Sequence, residues 1–302
     1  MVAHHTHDTC IYALRACPFS YGRDLIALGG ERGVDILMAD DSDCRVIASF
    51  HTGCRVTALA WSPKSVSPSS NNEWILELVA AGSDYGMYLL KKTPTSEESI
   101  FRFGGGLTGH HGRVNDIAFC GGHGENGQRY VGSVSDDKML MVWDLYPNVP
   151  VQLQQERPQP TAYAITFSHA LVSIDAHVSS NKEFLVADCK GSVYITDWRT
   201  DPENSGRLGF HNSNILELTD SSALVSSAGL TGSASWRPDN ADVTKELVPL
   251  LDPGFPFGIS EIYKADSHRE MGSVFRTVVI IFAGVLLIQN ISQSPQRLIR
   301  TP

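Results

Sequence analysis

The sequence has little positive charge. Its 302 residues include 24 Lys and Arg against 33 Asp and Glu, which gives a formal net charge of -9 at pH 7. The longest basic clusters are Lys91–Lys92 and, near the end of the chain, Arg297 with Arg300. Because an acidic protein repels a phosphate backbone unless basic side chains are concentrated in one patch, we expect no direct nucleic-acid binding.

Cysteine is also scarce, and the cysteines are not arranged in pairs. The six cysteines are spread over positions 10, 17, 44, 54, 120 and 189, and none of them belongs to a C-x-x-C motif. This spacing argues against a structural zinc site and against a dense disulfide framework. We therefore expect reduced cysteines in strands or in the core, and no bound metal.

Long hydrophobic runs are missing as well. The run Thr277–Ile288 has 12 residues, whereas a membrane-spanning helix needs about 20. Its β-branched residues favour one strand, or two strands joined by Gly284, and we expect no membrane insertion. A weak membrane segment is the alternative interpretation of this run.

Sequence signatures of catalysis are missing or weak. No G-x-S-x-G motif places a serine on the strained turn that many hydrolases use. The segment Gly122–Gly127 matches G-x-G-x-x-G. A dinucleotide-binding site requires a helix directly after this motif, whereas the sequence Arg129–Ser133 predicts a strand. We interpret Asn126–Gly127 as a turn. We expect a protein that is not an enzyme and that holds no cofactor.

The sequence does contain a repeat of about 53 residues. Four segments each combine an apolar strand, a short turn and a second strand, and their turns end at residues 33, 86, 138 and 191. Further strands lie upstream, as in Arg55–Trp61 and Arg113–Phe119. The repeat predicts an all-β, WD40-type β-propeller with four clear blades and the start of a fifth. The predicted strand pairs are Leu25–Leu37, Leu78–Leu90, Tyr130–Asp144 and Phe184–Trp198.

The third repeat carries the residues that are typical of a WD blade. Gly109–His110 is followed by Trp143–Asp144, with a serine and an aspartate between them. A buried imidazole or carboxylate needs a hydrogen-bond partner, and an indole N–H and a hydroxyl can supply one. We predict a buried structural relay, and not a catalytic triad, formed by His110, Ser133, Asp137 and Trp143.

Several stretches around these motifs resemble the nucleoporin thirty-seven family. Members of that family are small WD-repeat propellers of the Y-shaped nuclear pore scaffold. The resemblance covers roughly residues 10–243. It implies a seven-bladed propeller and a catalytically inactive scaffold subunit in the outer ring of the nuclear pore complex, at the nuclear envelope. The stretches that carry it are His51–Pro63, Leu107–Val114, Gly132–Asp137, Leu171–His177, Glu183–Trp198 and Gly232–Asp239.

The resemblance also implies partners. These are a large scaffold nucleoporin of the Y-complex and the other Y-complex subunits. A competing interpretation is a WD-repeat adaptor of another nuclear or cytosolic assembly, such as a chromatin or ubiquitin-ligase complex. Fold alone does not separate the two interpretations, since WD propellers serve many unrelated assemblies.

The C-terminal quarter departs from the repeat. A fifth hairpin is due near residue 244, but residues 249–256 hold three prolines, which a central strand pair does not tolerate. We therefore divide the chain into a flexible N-terminus (1–9), a propeller (10–243) and a divergent segment (244–302), and we expect an incomplete ring. A native divergent end, a splice variant and a gene-model error all fit this segment. We also expect Val274–Ile288 to pair with an open sheet edge and to bury Ile280 and Ile281.

Overall fold

The computed structural model describes residues 5, 7, 9–40, 43–121, 125–147, 159–177 and 180–198, together with the strands at 215–218, 275–282 and 285–292. Within these ranges sixteen strands form four antiparallel sheets, and each sheet contains four strands that follow one another in chain order. Each of these sheets is a propeller blade.

The strand bounds are as follows. Blade 1 contains β1 (Ala13–Ala16), β2 (Leu25–Gly29), β3 (Val34–Ala39) and β4 (Cys44–Phe50). Blade 2 contains β5 (Val56–Trp61), β6 (Leu76–Gly82), β7 (Met87–Thr93) and β8 (Ser96–Phe103). Blade 3 contains β9 (Val114–Phe119), β10 (Tyr130–Ser135), β11 (Met139–Asp144) and β12 (Thr161–Thr166). Blade 4 contains β13 (Leu171–Ala176), β14 (Glu183–Asp188), β15 (Val193–Asp197) and β16 (Ile215–Leu218).

The hydrophobic core lies between neighbouring blades. Every residue of the central strands β2 and β6 is buried, whereas most residues of the outer strand β8 are exposed. This gradient arises because blades stack face to face, so a central strand is covered on both sides. The first strands of successive blades also meet: β5 packs against β1 and β9, and β9 packs against β13.

The four hairpins predicted from the repeat are confirmed. The pairs β2–β3, β6–β7, β10–β11 and β14–β15 are antiparallel and occupy the predicted segments. The two upstream strands predicted from sequence are β5 and β9. The repeat is more regular than the sequence suggests, since Tyr85, Lys138 and Gly191 all have positive φ and lie 53 residues apart.

The interpretation of Asn126–Gly127 as a turn is wrong. Both residues lie in the short helix α1 (Glu125–Arg129), which leads directly into β10. The end of the helix is fixed to β11, because Arg129 forms two hydrogen bonds to Asp144, of 2.7 and 2.6 Å, and its carbonyl accepts the N–H of Leu145. These contacts hold the segment as one helical turn. Residues 122–124 lie outside the described residues.

The apolar run near the C-terminus forms two strands, as its β-branched residues predict. They are β17 (Phe275–Phe282) and β18 (Val285–Ser292), on either side of residues 283–284. The expected pairing with an open blade edge is wrong, since β17 and β18 pair with each other in a separate sheet. A two-residue connection makes the local pairing entropically cheaper than pairing with a distant edge.

Some expectations from the sequence concern residues or side chains that lie outside the described ranges. They are the start of a fifth blade, whose hairpin is due near residue 244, the proline-rich stretch at 249–256, and the burial of the Ile280 and Ile281 side chains. Among the described residues, no helix combines the length and the apolar character that crossing a membrane requires.

Candidate functional site

The four residues of the predicted relay lie together at one end of blade 3. His110 precedes β9, Ser133 is on β10, Asp137 is in the turn after β10, and Trp143 is on β11. The Trp143 indole N–H donates to the Ser133 hydroxyl at 2.9 Å. The His110 ring lies between the other two, with Nε2 at 2.7 Å from Ser133 Oγ and Nδ1 at 2.8 Å from Asp137 Oδ2.

The directions of these hydrogen bonds follow from the partners. A carboxylate only accepts, so His110 Nδ1–H donates to Asp137. In the neutral imidazole, Nε2 is then the acceptor of the Ser133 hydroxyl proton. Burial alone raises the pKa of Asp137, but the hydrogen bonds from His110 and from the N–H groups of His111 and Met139 outweigh it and leave that pKa lowered. Asp137 is therefore the charged end of the relay at neutral pH.

The relay is enclosed by packing. His110, Ser133 and Trp143 are buried, and the Trp143 ring meets Phe103 edge-on with 5.5 Å between ring centroids. Gly104 has φ +59°, and a Cβ there would lie 2.8 Å from the Trp143 ring. A substrate cannot reach the Ser133 hydroxyl, because this residue is fully buried. We therefore interpret the relay as a structural element of the blade.

A different cluster occupies the corresponding place in blade 2. Asp84 lies 53 residues before Asp137, and its carboxylate accepts from Tyr88 Oη and from Arg102 Nη2, both at 2.7 Å. Cys54 Sγ lies 3.5 Å from Tyr88 Oη. Burial by itself raises the pKa of Asp84, but the hydrogen bonds that its carboxylate accepts outweigh burial and leave that pKa lowered. The pKa of Tyr88 is raised by burial and by its contacts with Cys54 and Asp84.

Blade 4 has a third version of the cluster. The buried Asp188 accepts from Tyr194 Oη at 3.0 Å, and its other oxygen accepts the N–H groups of Lys190 and Ser192. His169 Nδ1 lies 3.3 Å from the same carboxylate. Tyr194 and Tyr88 occupy equivalent positions in their hairpins. Each of the three turns is thus fixed by a carboxylate, although the sequence predicted this only for blade 3.

Sequence reasoning missed three other ionisable side chains of the interior, namely the ion pair of Arg15 with Asp116 and the carboxyl group of Glu77. Arg15 donates to Asp116 across the inner strands, and Glu77 is fully buried on β6. The Glu77 carboxylate accepts from Ser62 Oγ at 2.8 Å and lies 3.9 Å from Lys91 Nζ. No local motif marks these residues, because their partners come from other strands and other blades.

An aromatic patch lies at the end of blades 3 and 4 opposite the relay. We define it as Tyr130, Tyr146, Tyr163 and Trp198. The Trp198 ring is 4.8 Å from Tyr130 and 5.5 Å from Tyr163, measured between centroids. Tyr163 is 56% exposed. Two cations border the patch, since Lys64 Nζ lies 4.2 Å from the Tyr146 centroid and Arg129 Cζ lies 5.3 Å from the Tyr130 centroid.

Metal chemistry finds no support in the described part of the chain. Its His, Cys, Asp and Glu side chains form no group of three or more that could hold an ion. The carboxylate clusters fix the turns of their blades, and the aromatic patch presents the Tyr163 ring to solvent.

Comparison with known proteins gives one informative relative by sequence. No protein-family model matches the chain. The chain is 24% identical over 198 residues to the nucleoporin Nup37 of Mus musculus, and this match covers 62% of the chain and 54% of the relative. The chain thus spans about half the length of the curated relative that it resembles.

Comparison with solved structures supports the fold. One similar chain belongs to a humanized mutant of the Chaetomium thermophilum Polycomb Repressive Complex 2 bound to the inhibitor GSK126, with 14% identity and a TM-score of 0.51. The similarity covers 78% of this chain and 48% of that one. A second match, to an active polycomb repressive complex 2 in the basal state, has a TM-score of 0.46. With four WD-type blades and this sequence relative, the chain is a WD-repeat β-propeller protein similar to the nucleoporin Nup37.

Proposed function

We propose that the protein is a structural scaffold subunit of the nuclear pore complex outer ring, and that it acts by binding a large scaffold nucleoporin of the Y-complex. The observation that carries the proposal is the 198-residue similarity to Nup37. The described blades support a binding role over a catalytic one, because the single Ser–His–Asp arrangement that we identify is enclosed in a blade.

The aromatic patch is the surface that we assign to the partner. Protein interfaces are enriched in Tyr, Trp and Arg, and a few buried anchors inside a polar rim supply most of the binding energy. Tyr163 and Tyr146 offer exposed rings, and the buried Trp198 ring packs against Tyr163 with 5.5 Å between centroids. The cations Lys64 and Arg129 form part of the rim and would give partner association a moderate salt dependence.

Affinity purification of the tagged full chain tests the function. The expected result is stoichiometric recovery of Y-complex subunits, together with fluorescence of the tagged protein at the nuclear rim. Recovery of chromatin or ubiquitin-ligase subunits, with a diffuse nuclear or cytosolic signal, would establish the adaptor alternative. Failure to recover any Y-complex subunit from cells in which that complex is intact would refute the proposal.

A pair of variants tests the surface separately from the function. Tyr163→Ala removes the most exposed ring of the patch and should weaken partner recovery at least tenfold, as loss of an interface anchor does. Leu107→Ala is the matched control, because Leu107 is 98% exposed at the opposite end of the propeller. If the control loses the partner and Tyr163→Ala keeps it, the function stands and the binding surface is at the relay end.

A further inference from the structure

The aromatic patch has cations at its rim, although the chain as a whole is acidic, with a net charge of -9. Lys64 Nζ and Arg129 Cζ lie 4.2 and 5.3 Å from the centroids of two tyrosine rings of the patch. Lys182 is a third cation, since the Trp198 N–H donates to its carbonyl at 3.1 Å and Lys182 is exposed. The sign of the charge on this surface is therefore opposite to that of the whole chain.

The carboxylates that accompany these cations are more deeply buried than the cations themselves. Asp144 accepts two hydrogen bonds from Arg129, and its side chain is 10% exposed against 28% for Arg129. The Glu77 carboxylate lies 3.4 Å from Tyr146 Oη and 3.9 Å from Lys91 Nζ. Its side chain is 0% exposed against 47% for Lys91. In both ion pairs the cation is the group that reaches solvent, so a partner that approaches the patch meets positive charge.

Two acidic residues of blade 4 that are close to the patch in sequence lie on the other face of the blade. Glu183 and Asp197 pair with each other across β14 and β15. Phe184 and Trp198, the next residues along the chain, belong to the core shared with blade 3. Because side chains alternate between the faces of a strand, Glu183 and Asp197 face away from that core and from the patch.

The positions of Lys64 and Arg129 indicate the charge of a segment that fits the patch. Each of them already lies over a tyrosine ring, so a cationic group on a partner would meet like charge at the ring faces that attract it. A carboxylate can accept charge-assisted hydrogen bonds from the lysine ammonium groups. The Tyr163 ring, 56% exposed, offers apolar surface beside these charges.

We propose that the aromatic patch binds an acidic segment of its partner protein, in which Asp or Glu side chains are interspersed with apolar ones. The carboxylates pair with the cations of the rim, and the apolar side chains pack against the Tyr163 ring. This inference rests on the proposed function, which assigns the patch to the partner, and it adds the chemistry of the bound segment. A nucleic acid fits less well, because the net charge of the chain repels a long phosphate backbone.

Site-specific photo-crosslinking in cells tests the chemistry of the bound segment. Tyr163 of the full chain is replaced by p-benzoylphenylalanine, which keeps a benzyl ring at this position, and the crosslinked peptides are identified by mass spectrometry. The expected product joins position 163 to a partner peptide of net negative charge. The matched control carries the same group at Leu107, at the opposite end of the propeller, and should not yield that peptide.

The other outcomes of the crosslinking would overturn the inference. They are a crosslink to a neutral or basic peptide, a crosslink to RNA, a crosslink within this chain alone, and capture of the partner only from position 107. The proposed function fails differently. An acidic segment from a protein outside the Y-complex would refute the nuclear pore role and support this inference, whereas a basic segment of a Y-complex subunit would do the reverse.

Charge reversal gives an independent readout. The double variant Lys64→Glu with Lys182→Glu should weaken recovery of the partner about fivefold or more at low salt, and the loss should shrink as the salt concentration rises. Lys138→Glu with Lys190→Glu is the matched control, because both lysines are exposed at the relay end and the net charge changes equally. An unchanged melting temperature shows that each variant is folded. Equal weakening by the two pairs, or tighter binding by the first, would overturn the proposal.

Discussion

Arg15 of blade 1 donates a hydrogen bond to Asp116 of blade 3, although 101 residues separate them in the sequence. Arg15 Nε also donates to the Leu59 carbonyl of blade 2 at 3.2 Å. The second carboxylate oxygen of Asp116 accepts the N–H of Ile174 in blade 4 at 3.1 Å. One ion pair and its two further hydrogen bonds therefore connect all four described blades at their inner strands.

Breaking this connection should destabilise the protein. Arg15→Met removes the donor and leaves Asp116 with a largely buried charge, and we expect a loss of about 1–3 kcal/mol in the free energy of unfolding. Arg102→Met is the matched control, because Arg102 also pairs with an aspartate but is 59% exposed; it should cost less than about 1 kcal/mol. Equal losses in urea titrations would contradict this account.

The relay predicts coupled effects of its members. Trp143→Phe removes the indole donor to Ser133 and should cost about 1–3 kcal/mol of stability. Ser133→Ala removes the hydroxyl that links Trp143 to His110. Because both changes break the same hydrogen bond, the double variant should lose less than the sum of the two. Additive losses in denaturant unfolding would mean that the residues act independently.

The relay should also make stability depend on pH. The folded-state pKa of Asp137 is lowered, so its charge stabilises the fold above the unfolded pKa of about 4, and this contribution disappears as the pH falls through the folded value. Asp137→Asn should therefore cost about 1–3 kcal/mol at pH 7 and progressively less below pH 4. Thermal unfolding of the wild type and of this variant at several pH values measures the convergence, and a stability difference that stays constant down to pH 3 would contradict this account.

The equivalent turn positions predict opposite effects of two substitutions. Lys138 has φ 70° and Gly191 has φ 96°, a region that strains a residue with a Cβ by about 1–2 kcal/mol. Lys138→Gly should stabilise the protein by up to about 1 kcal/mol, after the entropic cost of glycine. Gly191→Ala should destabilise it by about 1 kcal/mol. Calorimetric melting temperatures that shift in the same direction would show that side-chain contacts dominate these turns.

The cysteines should differ sharply in reactivity. Cys10 is exposed, whereas Cys17 is buried and burial raises its pKa to about 12. The Cys17 thiol therefore stays protonated at pH 8, and thiolates are the reactive form. Iodoacetamide should therefore modify Cys10 in the native protein and Cys17 only after denaturation. Comparable native modification of both, measured by peptide mapping, would be inconsistent with the packing of blade 1.

The hairpins could be predicted from sequence because each is a local event. In segments such as Leu78–Leu90, apolar strands and a polar turn recur at a fixed spacing, and a strand pair with a short turn needs no distant partner. The relay was visible for a related reason, since the serine, the aspartate and the tryptophan lie within one hairpin and the histidine lies just upstream of the blade. Asn126–Gly127 shows where prediction from local sequence fails. The hydrogen bonds between Arg129 and Asp144 stabilise a helical turn there, although the Asn-Gly dipeptide favours a turn between strands.

The sequence by itself thus determined the all-β class, the four hairpins and the residues of the blade 3 relay. The tertiary structure decided the connection from Arg15 to Asp116, the burial of Glu77, the grouping of Tyr130, Tyr163 and Trp198 on one surface, and the separate pairing of β17 with β18. The physical reason is the range of the interactions. Strand propensity and turn chemistry act over a few residues, whereas a buried charge or an exposed ring depends on neighbours that only blade packing brings together.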